Sequence, residues 1–322
     1  MKYFITGGAG FIGSCIVDRV IDKNEVTIYD NLSSGKEKHV SHHFGKKNFK
    51  FVKADLLDFD SVVREMSGHD TVWHIAANPD IRKGTESSRY DLEQNTLATY
   101  NVLEGARRND IDSVVFSSTS TIYGPAKVIP TPEDYGPCLP ISLYGASKLA
   151  CEGLISAYSS LYGIRAWIFR FANIIGQRGT HGILPDLVDK LNKDRSKLEV
   201  LGDGEQRKSY LLVEETVDGM FFGFERAKDQ MNYFNLGSSD QITVKRIVDI
   251  LIEEANLRGT NIMYTGGEAG WKGDIPMFLL STEKMAKLGW RAKHSSEEAV
   301  RIAARLTVKE RLKGFSGSDS SR

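Results

Sequence analysis

Tyr144 and Lys148 stand four positions apart, downstream of a glycine-rich turn, Gly7-Gly8-Ala9-Gly10-Phe11-Ile12-Gly13. On a helix, four positions is one turn on one face. An ammonium held there favours the phenolate, so the spacing predicts a tyrosine pKa lowered toward neutral. Such a tyrosine is a usable general base for a sugar or alcohol hydroxyl. The glycine turn implies the hydride acceptor. Neither feature is specific alone; together they point to redox chemistry at a carbinol carbon.

The elements that must position these groups follow from pattern. Lys2-Tyr3-Phe4-Ile5-Thr6 is a short, largely apolar run that suits a buried parallel strand. Gly7, Gly10 and Gly13 then recur every third residue as the chain enters a helix. The first permits a tight turn, the second a close pyrophosphate, the third close helix–strand packing. A phosphate would rest on the helix N-terminus, where free N–H groups and the dipole favour an anion. Val26–Tyr29 reads as the second strand and Asp30 stands at its end. A carboxylate there accepts from the ribose hydroxyls and repels a 2′-phosphate, which selects NAD over NADP.

Further strands are predicted at Phe49–Val52, Thr71–His74, Ser113–Phe116 and Arg165–Phe169. Helices are predicted between them, including Leu92–Arg107 and Tyr144–Tyr162. The alternation specifies an α/β fold, a Rossmann-type doubly wound parallel sheet. The length of 322 residues fits one large domain or two closely joined ones. Forty-two basic residues balance forty-two acidic ones, so neither a nucleic-acid nor a membrane surface is indicated. Cys15, Cys138 and Cys151 have no metal-ligand spacing and read as reduced thiols of a cytoplasmic protein. His39, His42 and His43 lie in a basic stretch and read as a solvated face; no metal is expected. No nucleophile elbow surrounds Ser117 or Ser118. The end from Gly314 is low in complexity and reads as a disordered tail, 314–322.

The Gly-x-x-Gly-x-x-Gly spacing with Tyr-x-x-x-Lys resembles the extended short-chain dehydrogenase/reductases. Within them the chain is most similar to the NAD-dependent nucleotide-sugar epimerases and dehydratases. The likeness runs from Lys2 to about Ala304, through Asp30-Asn31-Leu32, Asp55-Leu56, His74-Ile75-Ala76-Ala77, Ser117-Ser118-Thr119 and Gly202-Asp203-Gly204. It implies a NAD-binding domain over 1–172, some later segments returning to it, and a smaller, mainly nucleotide-sugar-binding domain over 173–313. It carries further cofactor contacts onto Asn31, Ser33, Ser34, Gly35, Asp55, Leu56, Ala76, Ala77, Asn95, Ser117 and Phe171. Thr119 becomes the third catalytic residue, twenty-five positions before Tyr144. Its hydroxyl both donates and accepts, so it can bridge the tyrosine and a substrate hydroxyl.

The resemblance also separates reactions. The 4,6-dehydratases carry an Asp-Glu pair after the threonine, and the decarboxylases a glutamate at the position of Thr121. Here Ser120 and Thr121 stand instead. Elimination would lack its acid and base. The implied reaction is therefore epimerisation at C4 of a nucleotide sugar, most simply UDP-glucose and UDP-galactose, through a transient 4-keto sugar. Another nucleotide-sugar reaction, or a non-catalytic NAD-binding regulator, is the alternative. Asn173, Gly182, Ile183, Leu184, Lys208, Asp274 and Phe278 are the implied substrate contacts. Trp271 stands where many epimerases have arginine, with Arg178, Arg207 or Lys272 as possible compensating cations. The family commonly forms homodimers through the two helices named above.

Overall fold

The computed structural model describes residues 1–78, 87–270 and 273–314. Trp271, Lys272 and the tail beyond residue 314 lie outside the described residues. A seven-stranded parallel sheet forms the centre. Its strands are β1 (Lys2–Thr6), β2 (Glu25–Asp30), β3 (Phe49–Lys53), β4 (Thr71–His74), β5 (Ser113–Thr119) and β6 (Arg165–Phe171). The seventh, Met231–Leu236, returns from far along the chain. Naming it βC, the order is βC-β6-β5-β4-β1-β2-β3. The order reverses between β1 and β4, and ligand crevices open outside the carboxyl ends of strands at such a point.

Alternation along each strand splits the core into two layers. Tyr3, Ile5, Ile28, Trp73, Val115, Trp167 and Phe169 face one side. They pack against Ile16, Val17 and Val20 of α1 (Phe11–Val20) and against Val217, Met220 and Phe221 of the helix Val213–Arg226. Phe4, Tyr29, Val72, Val114, Phe116 and Ile168 face the other. They meet α2 (Phe59–Met66), α3 (Ala98–Arg108) and α4 (Leu143–Tyr162). Strands buried on both faces read as near-continuous apolar runs. A separate core lies toward the C-terminus, among the helices Ile183–Lys193, Val244–Glu254 and Ser296–Arg311.

Helix α4 carries the expected catalytic pair, and its limits have local causes. The Ser142 side chain accepts from Gly145 N at 3.0 Å and caps the N-terminus. Lys148, Cys151, Glu152, Ile155 and Ser159 recur at helical spacing on the buried face. Gly163 ends the helix at φ +75°. At Gly145 a Cβ would stand 2.8 Å from the Thr121 carbonyl oxygen, so only glycine lets the first turn of α4 press against the turn that follows β5.

Three expectations need correction. Strands β5 and β6 extend to Thr119 and Phe171, beyond Phe116 and Phe169, because Ser117 finds a hydrogen-bond partner on β4 and Ser118 and Arg170 both bond the buried Glu152 of α4. The helix expected from Leu92 begins at Ser88 and passes through a π turn, Leu92–Leu97, before α3. Asn95 points inward there, accepting from Asn78 N at 2.9 Å and donating to Ser147 Oγ at 2.9 Å. The histidine stretch is not a solvated face: His39 and His43 are buried, and only His42 is exposed. His39 Nδ1 bonds Ala9 O at 3.0 Å, and Asp18 Oδ1 bonds Nε2 of both His42 (2.8 Å) and His43 (2.7 Å). Asp18, His42 and His43 could hold a metal ion, but Asp18 already pairs with Arg178 at 2.7 Å. Among the described residues no helix is long and apolar enough to cross a membrane.

Candidate active site

A cleft of about 720 Å³ opens at the carboxyl ends of β1, β4, β5 and β6. Its size is that of a small-molecule site. Gly7, Gly10, Phe11, Ile12 and Gly13 line one end, with Asp30, Asn31, Ser33, Ser34, Leu56, Ala76 and Ala77. Gly7 turns at φ +68°, and a Cβ on Gly13 would stand 2.1 Å from Gly7 O. The turn and the close packing both require glycine. Ser117, Thr119, Tyr144, Lys148 and Phe171 line the middle. Asn173, Gly182, Ile183, Leu184, Lys208, Asp274 and Phe278 line the far end.

Asp30 is buried at the first end. Its Oδ2 accepts from Ala9 N at 3.0 Å and Oδ1 from Leu32 N at 2.8 Å. Burial raises its pKa against those two bonds. Gly35 packs on this carboxylate, 2.9 Å from either oxygen to a built Cβ. Gly35, Asp55 and Asn95 are not part of the cleft wall. Asp55 acts from behind it, accepting from Asn31 Nδ2 at 2.9 Å.

In the middle, the Thr119 hydroxyl faces the Tyr144 phenol and favours its ionised form. It also meets Thr121 Oγ1 at 3.1 Å and accepts from Thr121 N at 3.2 Å. The expected lowering of the Tyr144 pKa is not what the protein alone produces. The ring is partly accessible but lies deep among protein atoms, and this desolvation pushes the phenol up to about 12. The Thr119 hydroxyl opposes the rise, while Asp91 adds to it. Lys148 does not supply the expected relief. Its Nζ donates to Ser117 O at 2.7 Å and lies 4.5 Å from the Phe116 ring centre, and burial lowers it to about 8. His74, sealed between Thr6 Oγ1 and Thr99 Oγ1, is held down to about 3 and stays neutral.

At the far end Lys208 pairs with Asp274, whose other oxygen accepts from Gly270 N at 3.0 Å. Phe278 lies beside Lys208, in register on the neighbouring strand. Asn173 donates to Ser209 O at 3.3 Å. Arg178 and Arg207 do not serve as compensating cations, for neither lines the cleft. Arg178 is drawn to Asp18 on α1, and Arg207 is exposed. The sequence reading also misses wall residues. Gln206 and Tyr210 flank Lys208 in the segment Gln206-Arg207-Lys208-Ser209-Tyr210, and alternation there turns all three toward the cleft.

A family model described as the NAD dependent epimerase/dehydratase family matches residues 3–237. The chain belongs to this family. The UDP-glucose 4-epimerase of Mycolicibacterium smegmatis is 32% identical over 226 residues, 68% of this chain and 71% of that protein. A solved UDP-galactose 4-epimerase is similar at 38% identity and TM-score 0.86, covering 96% of this chain and 99% of that one. A UDP-N-acetylglucosamine 4-epimerase from Methanobrevibacter ruminantium, solved with UDP-N-acetylmuramic acid, is similar at 27% identity and TM-score 0.86. It covers 96% of this chain and 98% of that one. NAD is the cofactor of this epimerase/dehydratase family, and the glycine turn with buried Asp30 suits it.

The Thr119 hydroxyl is the group that favours Tyr144 ionisation. Thr119→Val, nearly isosteric, should move the pH at which activity rises upward, because the phenolate loses a donor. The rate at neutral pH should fall on the order of 10²-fold. A pH–rate profile that superimposes on the parent's would show that the threonine does not tune the base.

Proposed function

We propose that this protein interconverts C4 epimers of a nucleotide sugar, with UDP-glucose and UDP-galactose as the substrates. The observation that carries this is the convergence of Thr119, Tyr144 and Lys148 in one cleft, with Asp30 at one end and Lys208–Asp274 at the other. Residues 120 and 121 support epimerisation over elimination. Both are hydroxyl side chains, and Thr121 is engaged with Thr119. Elimination needs an acid for the leaving hydroxyl and a base for the neighbouring proton. Epimerisation needs one base that returns its proton.

Asp30 would hold the adenosine ribose, helped by Asn31, Ser33, Ser34 and Gly35. Leu56 and Asp55 would border the adenine, and Gly10 to Gly13 the pyrophosphate. Ala76, Ala77, Ser117 and Phe171 would face the nicotinamide end, with Asn95 supporting α4 from behind. NAD held there would supply the hydride acceptor for C4. Tyr144 takes the C4 hydroxyl proton, and Thr119 holds that oxygen in line. Lys148 would bind the nicotinamide ribose. Tyr144 ionises more readily beside a cationic ring and an ammonium than in the protein alone. Asn173, Gly182, Ile183, Leu184 and Lys208 would keep the nucleoside diphosphate anchored while the 4-keto sugar turns over. Three free thiols fit a reducing, cytoplasmic setting.

Two experiments test the reaction itself. The purified protein, given a panel of nucleotide sugars and no added NAD, should equilibrate UDP-glucose with UDP-galactose, read by product chromatography. Tyr144→Phe should keep its NAD and lose several orders of magnitude in rate; near-parental turnover would refute the proton path.

Phe278 is the residue on which the choice of sugar rests. A phenyl ring fills the space an N-acetyl group would need, and overpacking costs about 1–3 kcal/mol, roughly 5- to 150-fold. The parent should favour UDP-galactose over its N-acetylated analogue in kcat/KM by about that factor, and Phe278→Ala should erode the preference. Equal use of both sugars by the parent would remove this role.

The faces of α3, with the π turn before it, and of α4 support a homodimer. Leu103 and Ile155 are buried against the sheet, whereas Leu97, Tyr100, Leu161 and Tyr162 are exposed. Light scattering at micromolar concentration should give twice the chain mass; a monomer would contradict the assignment.

A further inference from the structure

Behind the cleft a buried polar network joins parts of the site that never touch one another. Glu152 lies on α4 one turn beyond Lys148 and two beyond Tyr144. Its Oε1 accepts from Ser118 Oγ at 2.6 Å, and Ser118 immediately precedes Thr119. Arg170 of β6 grips the same carboxylate, Nη2 to Oε2 at 2.7 Å and Nε to Oε1 at 3.1 Å. Its remaining arm, Nη1, donates to Tyr123 OH at 2.8 Å and Glu133 O at 2.7 Å. Both members of the ion pair are more than nine-tenths buried.

The network continues outward. Tyr123 OH donates to Asn235 Oδ1 at 2.8 Å, and Glu133 Oε1 accepts from Asn235 N at 2.9 Å. Asn235 Nδ2 donates to Thr131 O at 3.0 Å and Ser281 O at 3.1 Å. Thr131 N in turn bonds Leu279 O at 2.8 Å, next to Phe278. One hydrogen-bonded unit therefore touches the neighbour of Thr119, the helix that holds Tyr144 and Lys148, and the segment that holds Phe278.

A buried ion pair is a poor source of stability, since desolvation offsets the attraction. What a fully partnered network supplies is a fixed geometry. Arginine suits this, because its planar fork fixes two directions at once and a lysine could not.

We propose that Glu152 and Arg170 are positioning residues, which set the Thr119–Tyr144 spacing and tie it to the segment that carries Phe278. The kinetic part of this rests on the proposed epimerase activity. A displacement of about 1 Å at reacting atoms costs on the order of 10²-fold. Neither residue lines the cleft, so neither acts on substrate directly.

The test uses three variants of the NAD-loaded protein. Glu152→Gln keeps the shape and removes the charge. Glu152→Leu/Arg170→Met removes both charges, a replacement that commonly keeps or raises stability. Ser118→Ala removes a single donor and remains informative if the other two fail to fold. Activity is expressed per bound NAD, beside KM for UDP-galactose. The Tyr144 phenolate is titrated by absorbance, as the difference between each protein and its Tyr144→Phe counterpart.

In Glu152→Gln and in the double variant, kcat per bound NAD should fall roughly 10- to 100-fold while KM changes only a few-fold. Ser118→Ala should lose less, in the same sense. Glu152→Gln leaves the Arg170 charge uncompensated, which favours the phenolate, so Tyr144 should titrate at lower pH. The double variant should not show that downward shift. A stable double variant with parental kcat and parental titration would overturn the proposal. So would losses that only track the NAD-bound fraction, or a Ser118→Ala protein identical to the parent when the others do not fold. The titration needs no sugar. A parent that turns over no nucleotide sugar defeats the epimerase reading, and the phenolate shift still decides the network's role.

Discussion

Desolvation of Tyr144 and Lys148, one helical turn apart in one wall, sets the conditions for everything else in the cleft. Burial moves the phenol up to about 12 and the amine down to about 8. Their order of acidity is thereby inverted by burial, and the tyrosinate–ammonium pair is disfavoured in the protein alone. Positive charge must arrive before Tyr144 can work as a base. In the proposed reaction the oxidised nicotinamide ring would supply it, so the base would be armed when the hydride acceptor is in place. Without that charge Tyr144 stays protonated at neutral pH and offers no phenolate.

That arrangement depends on packing at the sheet edge. The parallel strands deliver Thr6, His74, Thr119 and Phe171 to one edge. Gly145 lets α4 approach the Thr121 carbonyl, and the cap on Ser142 fixes where the helix begins. The Glu152–Arg170 pair holds the same helix from behind. At the far end Asp274 holds Lys208, so the cation proposed to anchor a diphosphate is itself oriented by a carboxylate.

Local chemistry was the part most legible in the sequence. The glycine spacing, Asp30 at a strand end and Tyr144 with Lys148 each depend on residues close together in the chain, and each falls on the cleft. Strands β1 and β4 have the limits that their apolar runs indicate. What pattern could not show depends on distant partners. Ser118 and Arg170 look like strand breakers until Glu152 is placed beside them. His39 and His43 look solvated until Ala9 and Asp18 meet them. Arg178 looks available for a phosphate until Asp18 claims it. The π turn at Leu92–Leu97 and the direction of the Tyr144 shift likewise follow from burial, which spacing does not encode.

The central claim is that a hydride leaves C4 and returns to the same carbon within one closed site. UDP-galactose carrying deuterium at C4, incubated with the protein and no added NAD, reads this directly. The UDP-glucose formed should retain its deuterium at C4, at full enrichment, with none released to water or to external NAD. Loss of the label to solvent, or a need for added cofactor in proportion to product, would contradict the account.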